Sequence, residues 1–155
     1  MSVTVELVPA RGKHCRYIGR HMRAADAAEC RAMGVFSPIA ALRFSMGNSD
    51  ATTALFDGRP AAMFGTRDLN VLAGLGCVWL LGTDDLTVHR KAFLQASAKW
   101  RYKLFERYSV LRNFVSLDNE ASLRWLTWLG AEFSPETTDV RGVRFVLFEL
   151  RKDHV

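Results

Sequence analysis

The chain has 155 residues, of which 49% are hydrophobic and 24% are charged. This length fits one domain with a real core, and this composition argues against a disordered or fibrous protein. No apolar run approaches the roughly 18 residues of a membrane-spanning helix, and the start of the chain lacks the order of a signal peptide. We therefore expect one soluble domain over residues 1–155, located in the cytoplasm.

The charge balance indicates which kinds of binding partner the protein could have. Lysine and arginine total 21 against 16 acidic residues, which gives a net charge of +5. A nucleic-acid binder would concentrate its basic residues, but the longest cluster here is His89–Lys91, so nucleic acid is not the predicted partner. A phosphate-bearing small molecule fits the same excess of charge.

The cysteines and histidines predict neither a disulfide framework nor a metal site. The three cysteines are odd in number and show no CxxC or Cys/His spacing. His14, His21 and His154 have no partner at ligand spacing. We expect these three histidines on the surface.

The N-terminal half alternates between strand and helix signals. Alternating β-branched residues over Val3–Val8 predict a first strand. A segment rich in alanine, Met22–Met33, predicts a helix that stops at Gly34. A second helix is predicted to open at Ser37–Pro38, where serine caps and proline takes the first helical position, and to run to Gly47–Asn48.

Three strands are predicted next. Thr52–Phe56 and Ala61–Gly65 flank the tight turn Asp57–Pro60, which indicates a hairpin. The apolar run Cys77–Leu81 is typical of a central strand that is covered on both faces.

The C-terminal half begins with the longest predicted helix. From Thr87, apolar residues recur every fourth position for about twenty residues. A helix and three strands complete the chain: a strand over Asn113–Leu117, a helix from Asn119 to Gly130, and strands over Glu132–Ser134 and Val143–Leu150. A polar turn containing Pro135 and Gly142 is predicted between the last two strands. This mixed order predicts an α/β sheet with helices on both faces.

The segment Asn119–Gly130 carries a match to a known family. Its asparagine is followed by a small residue three positions on, an aliphatic residue four on and glycine eleven on, which are Ser122, Leu123 and Gly130. With the hairpin at Asp57–Gly65, this pattern resembles the GNAT (GCN5-related N-acetyltransferase) family over essentially the whole chain. The resemblance implies an α/β fold whose central sheet is mixed and mostly antiparallel.

A GNAT enzyme holds acetyl-CoA through the backbone of its fourth strand and through amides at the start of the next helix. Free N–H groups and the helix macrodipole favour phosphates there. The implied coenzyme-binding residues are Leu80, Leu81, Gly82, Thr83, His89, Arg90, Lys91 and Asn119. Two alternatives stay open: the basic cluster is a solvated face, and Asn119 is a plain helix cap.

The sequence departs from the family pattern in two places. The glycine-rich phosphate loop is reduced to Gly82, and the neighbouring Asp84 and Asp85 would repel a diphosphate. We interpret Asp84 or Asp85 as a helix cap. Leu126 stands where many family members have a tyrosine that acts as the acid, so no catalytic residue is assigned.

Candidates for the acid and the base are not distinguished by spacing. Glu29, Asp68 and Glu132 lie near elements that border the amine side in the family. Tyr102 and Tyr108 are expected in the core or at its rim. The family admits pantetheine through a splayed gap between the fourth and fifth strands, which Trp79 or Trp125 would close if either filled it.

Three functions follow from these patterns. The first is an acetyl-CoA-dependent N-acyltransferase that acts on a small-molecule or protein amine. The second is an inactive GNAT-like phage structural or host-interaction protein, since Trp100–Tyr108 and Leu123–Gly130 are similar to small phage-encoded GNAT-like proteins grouped with podovirus internal virion proteins. This second function implies a virion or host protein partner and a location in the virion. For either function the cytoplasm of a bacterial host is the expected location, and a homodimer is an open alternative. The third is nucleic-acid binding through the basic long helix, with Trp100 and Tyr102 exposed for stacking on bases.

Overall fold

The structure, a computed structural model, describes residues 2–152. Seven strands form one sheet in the order β1-β2-β3-β4-β5-β7-β6. The elements are β1 Val5–Pro9, α1 Gly12–Arg20, α2 Ala24–Ala32, α3 Pro38–Gly47, β2 Asp50–Phe56, β3 Arg59–Asn70, β4 Leu75–Gly82, α4 Asp85–Val88, α5 Arg90–Leu104, β5 Val110–Ser116, α6 Glu120–Trp128, β6 Glu132–Val140 and β7 Val143–Arg151. Only β4 and β5 pair in parallel, so the sheet is mixed and mostly antiparallel, as predicted.

Alternate residues of the central strands bury opposite faces of the sheet. Met63 of β3 packs with α1 and α3, whereas the neighbouring Phe64 packs toward α5. A larger cluster under α5 and α6 contains Val78 of β4 and Leu126 of α6. Helices therefore cover both faces, which confirms the prediction for the apolar fourth strand.

Several helix and turn ends lie where local sequence signals predict them. Ser37 caps α3 by accepting a hydrogen bond from the amide of Ala40 at 3.2 Å. Gly34 and Gly130 follow α2 and α6 with φ angles of 90° and 88°, and only glycine adopts this region without strain. The hairpin turn also has positive φ at its two central residues, Asp57 and Gly58.

Helix α1 was not predicted from the sequence. It contains two glycines and few strong helix formers, so its stability comes from packing rather than from propensity. Cys15 and Ile18 are fully buried on its inner face. A Cβ at Gly19 would lie 2.5 Å from Cγ1 of Ile39, so the missing side chain lets α1 approach α3 closely.

The predicted long helix is wrong at its start. A short α4 ends at Val88, the backbone leaves the helical region at His89, and α5 begins at Arg90. His89 packs edge to face against Phe56 with ring centroids 6.0 Å apart. Val88, an apolar residue in the predicted first turn, is 71% exposed.

The predicted turn at Pro135 is also wrong, because β6 runs through this proline. The β6–β7 pairing shifts register between Phe133 and Thr137, and β6 lies at the edge of the sheet. An edge strand tolerates proline at such an irregularity, since the missing N–H has no partner to lose. The turn lies at Arg141 and Gly142, both with positive φ, so Gly142 is confirmed as a turn residue and Pro135 is not.

Candidate functional site

The parallel pair β4–β5 opens into a gap at the centre of the sheet. The strands pair only where Leu75–Cys77 faces Val110–Arg112. Beyond this point Asn113 bridges them, because its Nδ2 donates to the backbone oxygen of Val78 at 2.8 Å. Further along, β4 pairs with β3 through its other edge, and the edge of Trp79–Leu81 that faces β5 has no strand partner in the described chain.

A cavity of about 380 Å³ occupies this gap, and we call it the gap cavity. Its wall includes Leu80, Leu81, Asn113, Val115 and Leu126 around the gap, and Glu29, Cys30, Met33, Val35 and Phe44 from α2, α3 and the loop between them. Trp79 and Trp125 line the cavity without closing it. Their indole Nε1 atoms donate to Ser49 and Ser97 at 2.9 and 3.0 Å, which anchors both rings.

A second cavity of about 210 Å³ lies where the end of β4 meets α5 and α6. We call it the arginine cavity, because Arg23, Arg90 and Arg124 line it and no acidic side chain among the described residues does. Leu80, Ser122 and Trp125 line both cavities. The two cavities therefore adjoin at these three side chains.

The segment after β4 uses its backbone amides internally. The Gly82 amide donates to Asp26 Oδ2 at 2.9 Å, and the Thr83 amide donates to the backbone oxygen of Ala61 at 2.8 Å. A Cβ at Gly82 would lie 2.4 Å from Cδ1 of Leu86. Close packing against Leu86 therefore favours glycine at this position, independently of any ligand that binds near the backbone.

The two aspartates of this segment differ in their roles. Asp84 takes the N-cap position of α4, as predicted, but its side chain makes no capping hydrogen bond. Asp85 pairs with Arg59, whose Nε lies 3.1 Å from Oδ2. Its negative charge is therefore partly compensated by a neighbouring cation.

Asp26 is the centre of a buried polar network beside both cavities. It is 1% exposed and accepts hydrogen bonds from Arg23 Nε at 3.0 Å and Nη2 at 3.1 Å. It also accepts from the amide of Gly82 and from Nδ2 of Asn119 at 3.1 Å. The carboxylate thus ties α2 to the ends of β4 and β5.

Asn119 is a helix cap within this network. Its Oδ1 accepts from the amide of Ser122 at 3.3 Å, and its Nδ2 donates to Asp26 and to Glu29. The residue is 2% exposed. The plain capping role that the sequence left open is therefore present.

Glu29 is the carboxylate that faces the gap cavity. Its Oε1 accepts from the amide of Ser116 at 3.0 Å and from Nδ2 of Asn119 at 2.9 Å. Burial raises the pKa of Glu29, and the negative charge of Asp26 acts in the same direction against these two donors. Of the three carboxylates considered from the sequence, only Glu29 lines this cavity.

The other two carboxylates are engaged elsewhere. The Tyr108 hydroxyl donates to Asp68 at 2.7 Å, and this bond, with Arg107, lowers the pKa of that carboxyl. Glu132 lies within 4.0 Å of Arg151 on the sheet edge. Tyr108 is buried away from both cavities, as expected.

The other aromatic and histidine predictions have mixed outcomes. Tyr102 is 68% exposed and is not a core residue. Trp100 is half-buried, with its ring centroid 4.4 Å from that of Phe64, so it does not form an exposed stacking surface. His14 is buried rather than exposed, and its Nδ1 accepts from the amide of Arg11.

Of the remaining histidines, His21 is exposed, as predicted. His154 lies outside the described residues. Within residues 2–152, no helix is both long and apolar enough to cross a membrane, and no group of three histidine, cysteine or acidic side chains is arranged to hold a metal.

Only some of the coenzyme-binding residues predicted from the sequence line a cavity. Leu80, Leu81 and Arg90 line a cavity. Gly82, Thr83 and Asn119 are buried, while Lys91 is exposed and His89 is the N-cap of α5. Arg23 and Arg124 were not predicted, because they are far from the β4–α5 junction along the chain even though they line the same cavity as Arg90.

The sheet order, with its one parallel pair that splays beside the start of a long helix, is the GNAT acetyltransferase fold. Solved structures that share it include one assigned provisionally to the acetyltransferases. It has a TM-score of 0.74 and 19% identity, over 97% of this chain and 87% of that one.

Two further solved structures are similar to this chain. RimJ of Mycobacterium smegmatis, solved in complex with CoA-disulfide, has a TM-score of 0.71 and 15% identity over 99% of this chain and 86% of that one. A GNAT-family acetyltransferase from Bacillus anthracis has a TM-score of 0.68 and 10% identity over 99% of both chains. At these identities the likeness establishes the fold.

A sequence family gives a different likeness. Residues 68–138, less than half of the chain, match the family described as Bacteriophage T7, probable scaffold protein Gp13. Among curated proteins, none matches the sequence.

Proposed function

We propose that this chain is an acyl-CoA-dependent N-acyltransferase that acts on an amine. The observation that carries the proposal is the open gap between β4 and β5, whose cavity adjoins the arginine cavity at Leu80, Ser122 and Trp125. One cavity is cationic and the other is mostly apolar with one carboxylate. An acyl-CoA has a diphosphate at one end and a thioester on a slender arm at the other, which fits this succession of surfaces.

The arginine cavity supports a diphosphate despite the missing glycine loop. Neither Arg90 nor Arg124 has an ion-pair partner among the described residues, and α5 opens there without a side-chain cap. Guanidinium groups bind phosphate oxygens in pairs, and uncapped helix amides favour anions. Since the Gly82 and Thr83 amides are engaged internally, we expect the arginine side chains to supply most of the binding.

The proposal keeps all the coenzyme-binding residues predicted from the sequence, but it expects larger effects from some of them than from others. Leu80 and Leu81 would hold the arm of acyl-CoA through their free strand edge, and Arg90 would contact a phosphate. The remaining residues stay predictions, with weaker expected effects: Gly82, Thr83, His89, Lys91 and Asn119.

Glu29 is the proposed proton acceptor. Acetyl-CoA would supply the acyl group as a thioester, and the acceptor nitrogen must lose a proton to form the amide. A carboxylate whose pKa is raised by burial is better matched to that proton near neutral pH than an exposed one. Leu126, at the position of the family's tyrosine, offers no proton to the leaving thiolate.

Calorimetric titration with CoA and with acetyl-CoA tests the proposal. We expect binding to the wild type, and a loss of about 10- to 100-fold in affinity for Arg90→Ala or Arg124→Ala, from the net value of a charged hydrogen bond. Lys99→Ala removes the same charge from an exposed site on the same helix and should bind normally. Absence of CoA binding by the wild type would refute the transferase.

A phage assembly or host-interaction protein without turnover is the second proposal. The match of residues 68–138 to the phage scaffold family favours it, as does the lack of an acid at Leu126. A virion or host protein partner and a location in the virion belong to this proposal. A homodimer and a location in the bacterial cytoplasm remain proposals that fit either function. The second proposal predicts no CoA binding, together with incorporation of the tagged chain into purified phage particles.

A further inference from the structure

We infer that the acyl acceptor is an apolar primary amine, whose ammonium group meets Glu29 and whose hydrocarbon body fills the α2–α3 side of the gap cavity. This inference rests on the proposed transferase function for its chemistry. Its binding part can be measured without turnover.

The charge of the cavity wall selects a monocation. Glu29 is the one charged side chain among the described residues of that wall. Its orientation is fixed by the two donors on Oε1, from Ser116 and Asn119. An ammonium group would be attracted by this carboxylate, whereas a second charge on the acceptor, of either sign, would find no partner on the wall.

The remaining wall on this side is mostly apolar, with Cys30 and Ser45 as the exceptions. Met33, Val35, Phe44 and Trp79 belong to the same cavity lining as Glu29, and Met33 follows it by about one helical turn in the sequence. Trp79 has already used its indole N–H on Ser49. A hydrocarbon or aryl body would therefore bury its surface here without leaving polar groups unpaired.

The rim of the cavity extends the same surface. Phe44 is 65% exposed and Met33 is 50% exposed, and Phe36, in the adjoining loop, is 74% exposed. Exposed large apolar side chains grouped beside a cavity are typical of a ligand-binding rim. A peptide N-terminus fits less well, because on the α2–α3 side the lining offers its amide groups one hydroxyl, that of Ser45, beside Glu29.

The proposal predicts a length dependence across the n-alkylamines from ethylamine to hexylamine. Each added methylene should lower Kd or KM about four-fold, the fold-change that corresponds to roughly 0.8 kcal/mol per buried CH₂. Binding is measured by calorimetry, and turnover by the release of CoA thiol from acetyl-CoA.

Matched ligands distinguish the contribution of the charged group to binding from that of the hydrocarbon body. 1-Hexanol lacks the ammonium group and 6-aminohexanoate adds a carboxylate, so both should bind at least ten-fold more weakly than hexylamine. Glu29→Gln should remove the advantage of hexylamine over hexanol. Phe44→Ser should weaken hexylamine, while Leu72→Ser, at a fully exposed position in the β3–β4 turn, should leave it unchanged.

The outcomes distinguish this inference from the transferase proposal. If CoA binds and a peptide or amino acid is acetylated in preference to hexylamine, the apolar acceptor is refuted and the transferase survives. If alkylamines bind with the predicted length dependence but CoA does not, the transferase is refuted and the assigned ligand class stands. A flat dependence on chain length overturns the inference in either case.

Discussion

Removal of the Asp26 carboxylate should destabilise the domain strongly. This side chain is 1% exposed and accepts hydrogen bonds from Arg23, Asn119 and the amide of Gly82. Asp26→Ala would leave the Arg23 guanidinium uncompensated and the amide of Gly82 unpaired, while Nδ2 of Asn119 would keep its hydrogen bond to Glu29. Breaking a buried ion pair in this way costs about 3–5 kcal/mol, which for a domain of this size corresponds to a fall in Tm of roughly 6–20 °C.

Thermal unfolding followed by circular dichroism measures this effect. Asp139→Ala is the matched control, because Asp139 pairs with Arg144 at 3.7 Å while both side chains are largely exposed, and such pairs contribute little. The double variant Arg23→Ala/Asp26→Ala should lose less than the sum of the single variants, since it removes the stranded charge. A fall in Tm no larger than that of Asp139→Ala would refute the structural role of the network.

Three further predictions concern the site. Because burial raises the pKa of Glu29 above the ordinary value of 4.5, the folded state holds its proton to a higher pH than the unfolded chain does. The stability of the wild type should therefore fall relative to Glu29→Gln as pH rises from about 4.5 through the raised value; urea unfolding between about pH 4 and pH 8 measures it, and a pH-independent difference would contradict it. Gly82→Ala should lose about 1–3 kcal/mol by overpacking against Leu86, and Leu86→Val should recover part of this loss; equal unfolding midpoints for Gly82→Ala and the wild type would count against the close packing. Burial raises the pKa of Cys30 to about 11, so its alkylation by iodoacetamide at pH 8 should be roughly 100-fold slower than that of a thiol at the ordinary value of 9.0, as peptide mass spectrometry would show; alkylation at the ordinary rate would contradict it.

The candidate site was only partly predictable, because its parts come from segments that are distant in the chain. The sequence indicated the β4–α5 junction and Arg90, but gave no reason to choose Glu29 over Asp68. Only the packing of α2 beside β5 brings Glu29 to the gap, while Tyr108 and Arg107 engage Asp68 elsewhere.

The sequence by itself determined those features that depend on a residue and its near neighbours. The Ser37 cap, the glycines after α2 and α6, the positive-φ turn at Asp57–Gly58 and the apolar fourth strand each follow from local backbone preference and from side-chain periodicity. The tertiary structure decided where β4 and β5 separate after three paired positions, and which cations and which carboxylate line the space between them. Those outcomes depend on contacts between residues far apart in the chain, such as the hydrogen bonds of Asp26 with Gly82 and Asn119, and no local preference encodes them.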